Sequence, residues 1–141
     1  MAIQWDKSLA VGVKLVDEQH QELFRMVNGL MEALVKGETK GELESLLGFL
    51  GRYVVEHFGT EERLMAQYQY PDAPKHAQQH ADFVKTFLAV KSEFEKTGAT
   101  VGVSVAVSKV VCTWLREHIG GSDIALGKFL RTAGAKEAQL R

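Results

Sequence analysis

The sequence predicts an all-α protein, an up-down-up-down antiparallel four-helix bundle with an N-terminal arm and a short C-terminal helical extension. Four long segments repeat apolar residues at the three- and four-residue spacing of a helix face. The breaks between these segments are only a few residues long, so consecutive helices are expected to be antiparallel. The 141 residues are 45% hydrophobic and 25% charged, which is typical of one globular domain with its own core.

We assign the arm to residues 1–16, the bundle to 17–119 and the extension to 120–141 of a single domain. Within the arm, Asp6 and Lys14 leave only a short apolar patch, which does not have the form of a secretory signal peptide. No apolar run approaches the roughly 18 residues of a membrane-spanning helix. No membrane association is therefore predicted.

The first two helices have clear start and stop signals. The first is predicted from Asp17 to Lys36, and the Gly37 that follows is a residue type that commonly ends helices. The second opens at Thr39, where the order Thr-Lys-Gly-Glu has the pattern of a capping box, and its apolar stripe continues to Met65.

The third helix is predicted to start in the proline-containing segment 70–74, because proline is favoured in a first helical turn. Thr97 and Gly98 should end it. In residues 101–107 valines then alternate with small residues, which is the period of a strand. A lone strand would leave its backbone unpaired, so we predict that the fourth helix includes these residues.

The end of the fourth helix is less regular. Apolar residues at helical spacing continue to His118, after which Gly120 and Gly121 are expected to loosen or break the helix. Ser122 is predicted to cap a further short helix that reaches Phe129.

Charge and cysteine content limit the partners and the compartment. Seventeen basic and eighteen acidic side chains give a net charge of -1, so neither a nucleic-acid nor an anionic-membrane partner is predicted. One cysteine, Cys112, excludes an intramolecular disulfide, and a reducing cytoplasmic location is expected.

All five histidines lie on or beside the apolar stripes. His57 and Glu61 are four residues apart, as are His76 and His80. Four residues turn a helix by about 400°, so the members of each pair differ by only about 40° in direction and about 6 Å along the axis. Each pair can therefore reach one shared metal cluster.

His118 and Asp123 are five residues apart, and five residues of regular α-helix would turn the aspartate about 140° away from the histidine. Gly120 and Gly121 lie between them and permit a local unwinding or bulge. We therefore predict that the backbone departs from α geometry here.

Taken singly, each of these residues has an ordinary interpretation as a hydrogen-bonded core histidine or a solvated helix face. Together, five imidazoles and two carboxylates on inward stripes would be costly to bury without a compensating cation. Bundle cores are also where carboxylate-bridged dinuclear metal sites are built. The predicted metal ligands are His20, His57, Glu61, His76, His80, His118 and Asp123.

The order of these residues resembles the hemerythrin family, in particular the bacterial hemerythrins. The pattern is one histidine, then His-x-x-x-Glu, His-x-x-x-His and His-x-x-x-x-Asp. Neighbouring residues agree, namely Trp5, Asp17-Glu18-Gln19 before His20, Glu61-Glu62 with Met65, and Trp114-Leu115 before His118. The resemblance extends over about residues 5–130 and includes every ligand position.

The resemblance implies two iron ions that alternate between Fe2+ and Fe3+. His76, His80 and His118 would complete one iron, and the other would have His20 and His57 and an open position for dioxygen. Glu61 and Asp123 would bridge the irons, with an oxo or hydroxo group as the third bridge. Imidazole and bridging carboxylate are suitable ligands for iron.

By the same resemblance, four apolar residues next to ligands would wall the oxygen pocket, although each could equally be simple core. They are Phe58, Trp114, Leu115 and Ile119.

The predicted function is reversible oxygen binding for storage, delivery or scavenging, without catalytic residues, by a monomer that serves an unidentified protein recipient of oxygen. A sensor of oxygen or nitric oxide is a second class, and the lack of an output segment in these 141 residues makes it less favoured. A di-iron peroxidase, oxidase or iron-donating repair protein is a third class. It would need a free inward acid-base group, for which Glu62, expected to face outward, is the residue to check.

Overall fold

The computed structural model describes residues 3–133, which form four long helices and, within that range, no strand. They are α1 (Lys14–Lys36), α2 (Lys40–Gln67), α3 (Ala73–Thr97) and α4 (residues 101–132). Each helix packs against two neighbours, in the closed order α1, α2, α3, α4 and back to α1. This confirms the predicted all-α four-helix bundle.

Helix α1 begins at Lys14, three residues before the predicted start at Asp17. Val13 and Val16 are buried, so the inward stripe of α1 already starts there. The Asp17 carboxylate instead accepts hydrogen bonds from the backbone N–H groups of Val11 (2.8 Å) and Gly12 (3.2 Å). Asp17 therefore ties the arm to α1 rather than starting the helix.

The other predicted signals act as expected at four helix ends. Gly37 ends α1 with a left-handed φ of 72°. The Thr39 hydroxyl accepts a hydrogen bond from the backbone N–H of Glu42 (3.2 Å) at the start of α2, which ends two residues beyond Met65. Helix α3 has a proline in its first turn and ends before Gly98.

Helix α4 is helical from Val101 onward, which confirms that the alternating valines do not form a strand. It is α-helical except in two π-helical segments, Val107–Thr113 and Ile119–Asp123. The helix loosens at the two glycines without breaking, so the predicted separate helix capped by Ser122 is wrong. The Ser122 hydroxyl caps no helix and donates a hydrogen bond to Gln79 Oε1 at 2.8 Å.

The first π segment has a packing reason. Val103, Val107, Val111, Leu115 and Ile119 are four residues apart and all buried. In a regular α-helix such a stripe drifts by about 40° per step, or about 160° over its length. The wider π turns reduce this drift and keep the stripe in the bundle interior.

Two apolar clusters form the core, and they lie on either side of a polar layer. The larger fills most of the bundle, and the smaller joins the arm to the ends of α2 and α4. His20 on α1, for example, lies between Val16 of the smaller cluster and Leu23 of the larger.

The predicted extension 120–141 is in part the last turns of α4, and residues 134–141 lie outside the described range. In residues 3–133 no helix combines the length and the apolar character needed to cross a membrane.

Candidate metal centre

The seven predicted ligands come together in the polar layer between the two apolar clusters. Helix α1 contributes one of them and each other helix contributes two, and none is more than 6% exposed. Their ligand atoms fall into two groups, each with all atoms within 4.8 Å of one another. One group is Glu61, His76, His80, His118 and Asp123, and the other is His20, His57, Glu61 and Asp123.

Glu61 belongs to both groups and divides its two oxygens between them. Its Oε2 atom lies 2.8 Å from His57 Nε2 and 3.3 Å from His20 Nε2. Its Oε1 atom lies 3.0 Å from His76 Nε2 and 3.1 Å from His80 Nε2. One carboxylate thus faces two sets of imidazoles.

Asp123 is divided in the same way. Its Oδ2 atom is 3.0 Å from His20 Nε2, and its Oδ1 atom is 3.0 Å from His76 Nε2 and 3.1 Å from His118 Nε2. Despite these distances, both oxygens are buried without a properly oriented hydrogen-bond partner in the described part of the chain. A buried carboxylate left in this state is costly, whereas a cation at the centre would compensate it. The donor set therefore fits metal ions.

The π turn at Ile119–Asp123 brings Asp123 to the centre, which confirms the predicted departure from α geometry after His118. Hydrogen bonds in a π-helix join residues five apart, so its wider turn carries residue i+5 toward the face of residue i. Neither Gly120 nor Gly121 has a positive φ, so the π turn does not depend on a left-handed glycine.

Two histidines are oriented by side chains outside the ligand set. His57 Nδ1 donates to Gln19 Oε1 at 2.6 Å, and Gln19 Nε2 donates to the Thr60 hydroxyl at 3.3 Å. His80 Nδ1 lies 2.9 Å from Glu62 Oε2, which can only accept. A proton on Nδ1 leaves the Nε2 lone pair free to face the centre.

The sequence predicted no contact for Gln19, and it predicted that Glu62 would face outward; Glu62 is exposed, but its carboxylate also reaches His80. Each is adjacent in sequence to a predicted ligand, and that adjacency is the only signal that could have found it.

In the polar layer, the histidines and the two carboxylates shift one another's pKa. Burial alone would raise the pKa of Glu61, but His57, His20 and His76 outweigh it and keep that pKa well below its usual range. Burial alone would lower the pKa of His20, yet the adjacent Asp123 and Glu61 raise it to about 9, and they do the same for His76. Each buried carboxylate thus favours positive charge on His20 and His76, and the imidazoles in turn favour the ionised form of Glu61.

Of the four predicted oxygen-pocket residues, the two aromatic ones lie against histidines of the larger group. The Phe58 ring stacks on His80, with centroids 3.8 Å apart and planes 3° apart. Trp114 stacks on His118 at 4.4 Å and 11°. Leu115 is buried in the same apolar cluster. Ile119 is also buried in that cluster.

Comparison with known proteins agrees with this geometry. Residues 11–128 match the family model of the hemerythrin HHE cation binding domain. The chain is 32% identical over 120 residues to a myohemerythrin of Theromyzon tessulatum, covering 85% of this chain and 87% of that protein. It is 28% identical over 127 residues to a bacteriohemerythrin of Stenotrophomonas maltophilia, covering 86% and 76%.

Among solved structures, wild-type hemerythrin superimposes with a TM-score of 0.82 at 29% identity, over 92% of this chain and 98% of that one. The family match covers most of the chain, and the site lies within it. The chain belongs to the hemerythrin family.

Proposed function

We propose that residues 1–141 form one domain that binds dioxygen reversibly at a non-haem di-iron centre, for oxygen storage, delivery or scavenging. One observation above all supports this proposal. Glu61 and Asp123 each direct one oxygen toward the imidazoles of one ligand group and the other oxygen toward the second group. Two carboxylates shared in this way suit a pair of metal ions, whereas a single ion would leave one set of imidazoles without a partner.

We propose that His76, His80 and His118 would hold one iron and that His20 and His57 would hold the other. Both irons would share Glu61 and Asp123, with an oxo or hydroxo group as a third bridge. The first group offers three imidazoles and the second offers two. The iron with fewer protein ligands is therefore the one with room for dioxygen. Two irons held by these residues would supply, between their Fe2+ and Fe3+ states, the electrons that oxygen binding requires.

The protein itself provides two buried carboxylates at the centre and apolar side chains around it. Glu61 and Asp123 are buried, and their carboxylates would offset the charge of the two cations inside the bundle. Phe58, Leu115 and Ile119 are buried apolar side chains, and Trp114 adds a partly buried aromatic face. We propose that these four form the oxygen pocket, where an apolar wall limits access of water to the bound ligand.

We assign no catalytic residue and propose an oxygen-binding protein rather than an enzyme. Glu62 is the additional carboxylate that an enzyme could use, but it is bound to His80 Nδ1 and is not a free acid-base group. A monomer in the cytoplasm that serves a protein recipient of oxygen stays our expectation.

Anaerobic loading with ferrous iron tests the proposal. We expect about two irons per chain by elemental analysis, and an absorption band that appears with oxygen and disappears on repeated deoxygenation. A saturating content near one iron, or a band that never reverses, would contradict it. The matched control is Asp82→Ala, which removes an exposed carboxylate of α3 and should leave both results unchanged.

A further inference from the structure

The two ligand groups differ in the residues that hydrogen-bond to the Nδ1 atoms of their histidines. In the smaller group, His57 Nδ1 is held by the neutral amide of Gln19. The Nδ1 atom of His20 is buried and has no hydrogen-bond partner within residues 3–133. In the larger group, His80 Nδ1 is held by the carboxylate of Glu62.

Glu62 also connects the buried centre with the surface. Its side chain is 45% exposed, whereas that of His80 is 2% exposed, and 2.9 Å separates Oε2 from Nδ1. Glu62 reaches His80 from a groove between α2 and α3 that Phe58 also lines. The same imidazole is stacked on the Phe58 ring, so His80 is fixed in its plane by the ring and in its rotation by Glu62.

We propose that Glu62 is a positioning residue of the metal centre, which strengthens His80 as a ligand and favours the oxidised state of the metal held by the three-histidine group. This inference rests on the proposed di-iron function. A carboxylate that accepts the Nδ1 proton draws that proton away from the ring and makes Nε2 a stronger donor. The added negative charge stabilises a trivalent ion more than a divalent one.

The neutral amide at His57 provides the hydrogen bond without the charge. The two metal positions therefore differ in the negative charge next to their histidines as well as in the number of their ligands. The iron beside His80 becomes the easier one to oxidise, and the iron beside His20 and His57 keeps less anionic support.

Two variants separate the hydrogen bond from the charge. Glu62→Gln keeps an acceptor oxygen and removes the charge, and Glu62→Ala removes both. Glu56→Gln is the control, because it removes an exposed carboxylate from the same helix. Glu62 is close to half exposed, so circular dichroism should show all three proteins folded.

The first measurement is the reduction potential of the iron-loaded proteins by spectroelectrochemical titration. We expect the potential to rise in Glu62→Gln, to rise further in Glu62→Ala and to stay at the wild-type value in Glu56→Gln. Zinc affinity should fall about 10- to 100-fold in Glu62→Ala, the usual effect of losing such an outer partner. Equal potentials in all four proteins would overturn the proposal.

The second measurement uses the zinc-loaded proteins and is independent of oxygen binding. The Nδ1–H proton of His80 should resonate at low field in the wild type and move upfield in Glu62→Gln, while that of His57 stays in place. An unmoved His80 signal overturns the role of Glu62, even where two irons bind as proposed. Failure of the wild type to bind two irons would instead refute the di-iron function.

Discussion

At the scale of single residues, the centre is organised by the imidazole Nε2 atoms and by the two oxygens of each carboxylate. All five imidazoles direct Nε2 toward Glu61 or Asp123. Each carboxylate in turn divides its oxygens between the two ligand groups. In the proposed di-iron centre, both metal positions would therefore depend on Glu61 and Asp123.

Asp123→Ala tests that dependence. Its removal leaves five buried imidazoles with one carboxylate, so the charge of two cations is poorly compensated. We expect iron content after anaerobic loading to fall from about two per chain to one or fewer. Glu117→Ala, an exposed acidic position on α4, is the control. Two irons and normal oxygen binding in Asp123→Ala would show that Asp123 is not a ligand.

The sequence identifies the residues that meet in the polar layer because helical periodicity determines which side chains point inward. It does not identify the contacts of Gln19 and Glu62, because these depend on the distance between helices and on side-chain rotamers. Gln19 reaches from α1 to α2, and Glu62 reaches from α2 to α3. Neither contact produces a periodic pattern of residues in the sequence.

At the scale of elements, the π turn of α4 allows for the spacing of His118 and Asp123, which is one residue longer than the spacing that places two side chains on one face of an α-helix. His118 and Asp123 are both buried at the centre although they are five positions apart in the sequence. The spacing predicts a departure from α geometry, but several departures satisfy it, including a helix end. The continuous backbone of residues 101–132 shows that a widened turn is the one adopted. The earlier segment Val107–Thr113 was not predicted, because valines also fit a regular helix.

Deletion of Gly121 tests this explanation. The spacing from His118 to Asp123 becomes four residues, so a regular α-helix places both on one face within about 40°. We expect the deletion variant to replace the π turn by an α turn and to keep about two irons per chain.

Insertion of one alanine between Gly120 and Gly121 is the opposite change. A sixth residue adds about 100° of rotation, which regular helix geometry cannot absorb, so iron content should fall. Loss of iron in the deletion variant together with full retention in the insertion variant would refute the role of the π turn. Elemental analysis of both proteins, loaded side by side, provides the comparison.

At the scale of the whole molecule, the arm closes the bundle end next to the metal centre. Asn28 exchanges two hydrogen bonds with the backbone of Ile3, at 2.8 and 2.7 Å. The Arg131 guanidinium donates to the carbonyl of Val11, whose N–H is bound by Asp17. The arm is therefore attached to α1 and to the end of α4. The sequence predicts an arm but not this attachment, which joins residues 120 positions apart.

Gly127 is where the arm and α4 approach most closely, and its replacement tests how much this closure stabilises the fold. A Cβ at Gly127 would collide with the carbonyl group and Cβ of Val11. Val11 cannot move away easily, because Asp17 and Arg131 hold its N–H and its carbonyl. We expect Gly127→Ala to lower the free energy of unfolding by about 1–3 kcal/mol, the usual cost of overpacking.

Gly121→Ala on the same helix is the matched control for Gly127→Ala, because a Cβ there meets nothing within 4 Å. Alanine is favoured over glycine inside a helix by roughly 0.5–1 kcal/mol, so this control should be neutral or slightly stabilising. Urea unfolding of the iron-loaded proteins measures both changes. Because the arm is held at Val11 from both sides, the clash must be relieved either by loss of the Arg131 contact or by a shift of α4. Equal stability of the two variants would mean that the arm moves aside without cost and does not close the bundle.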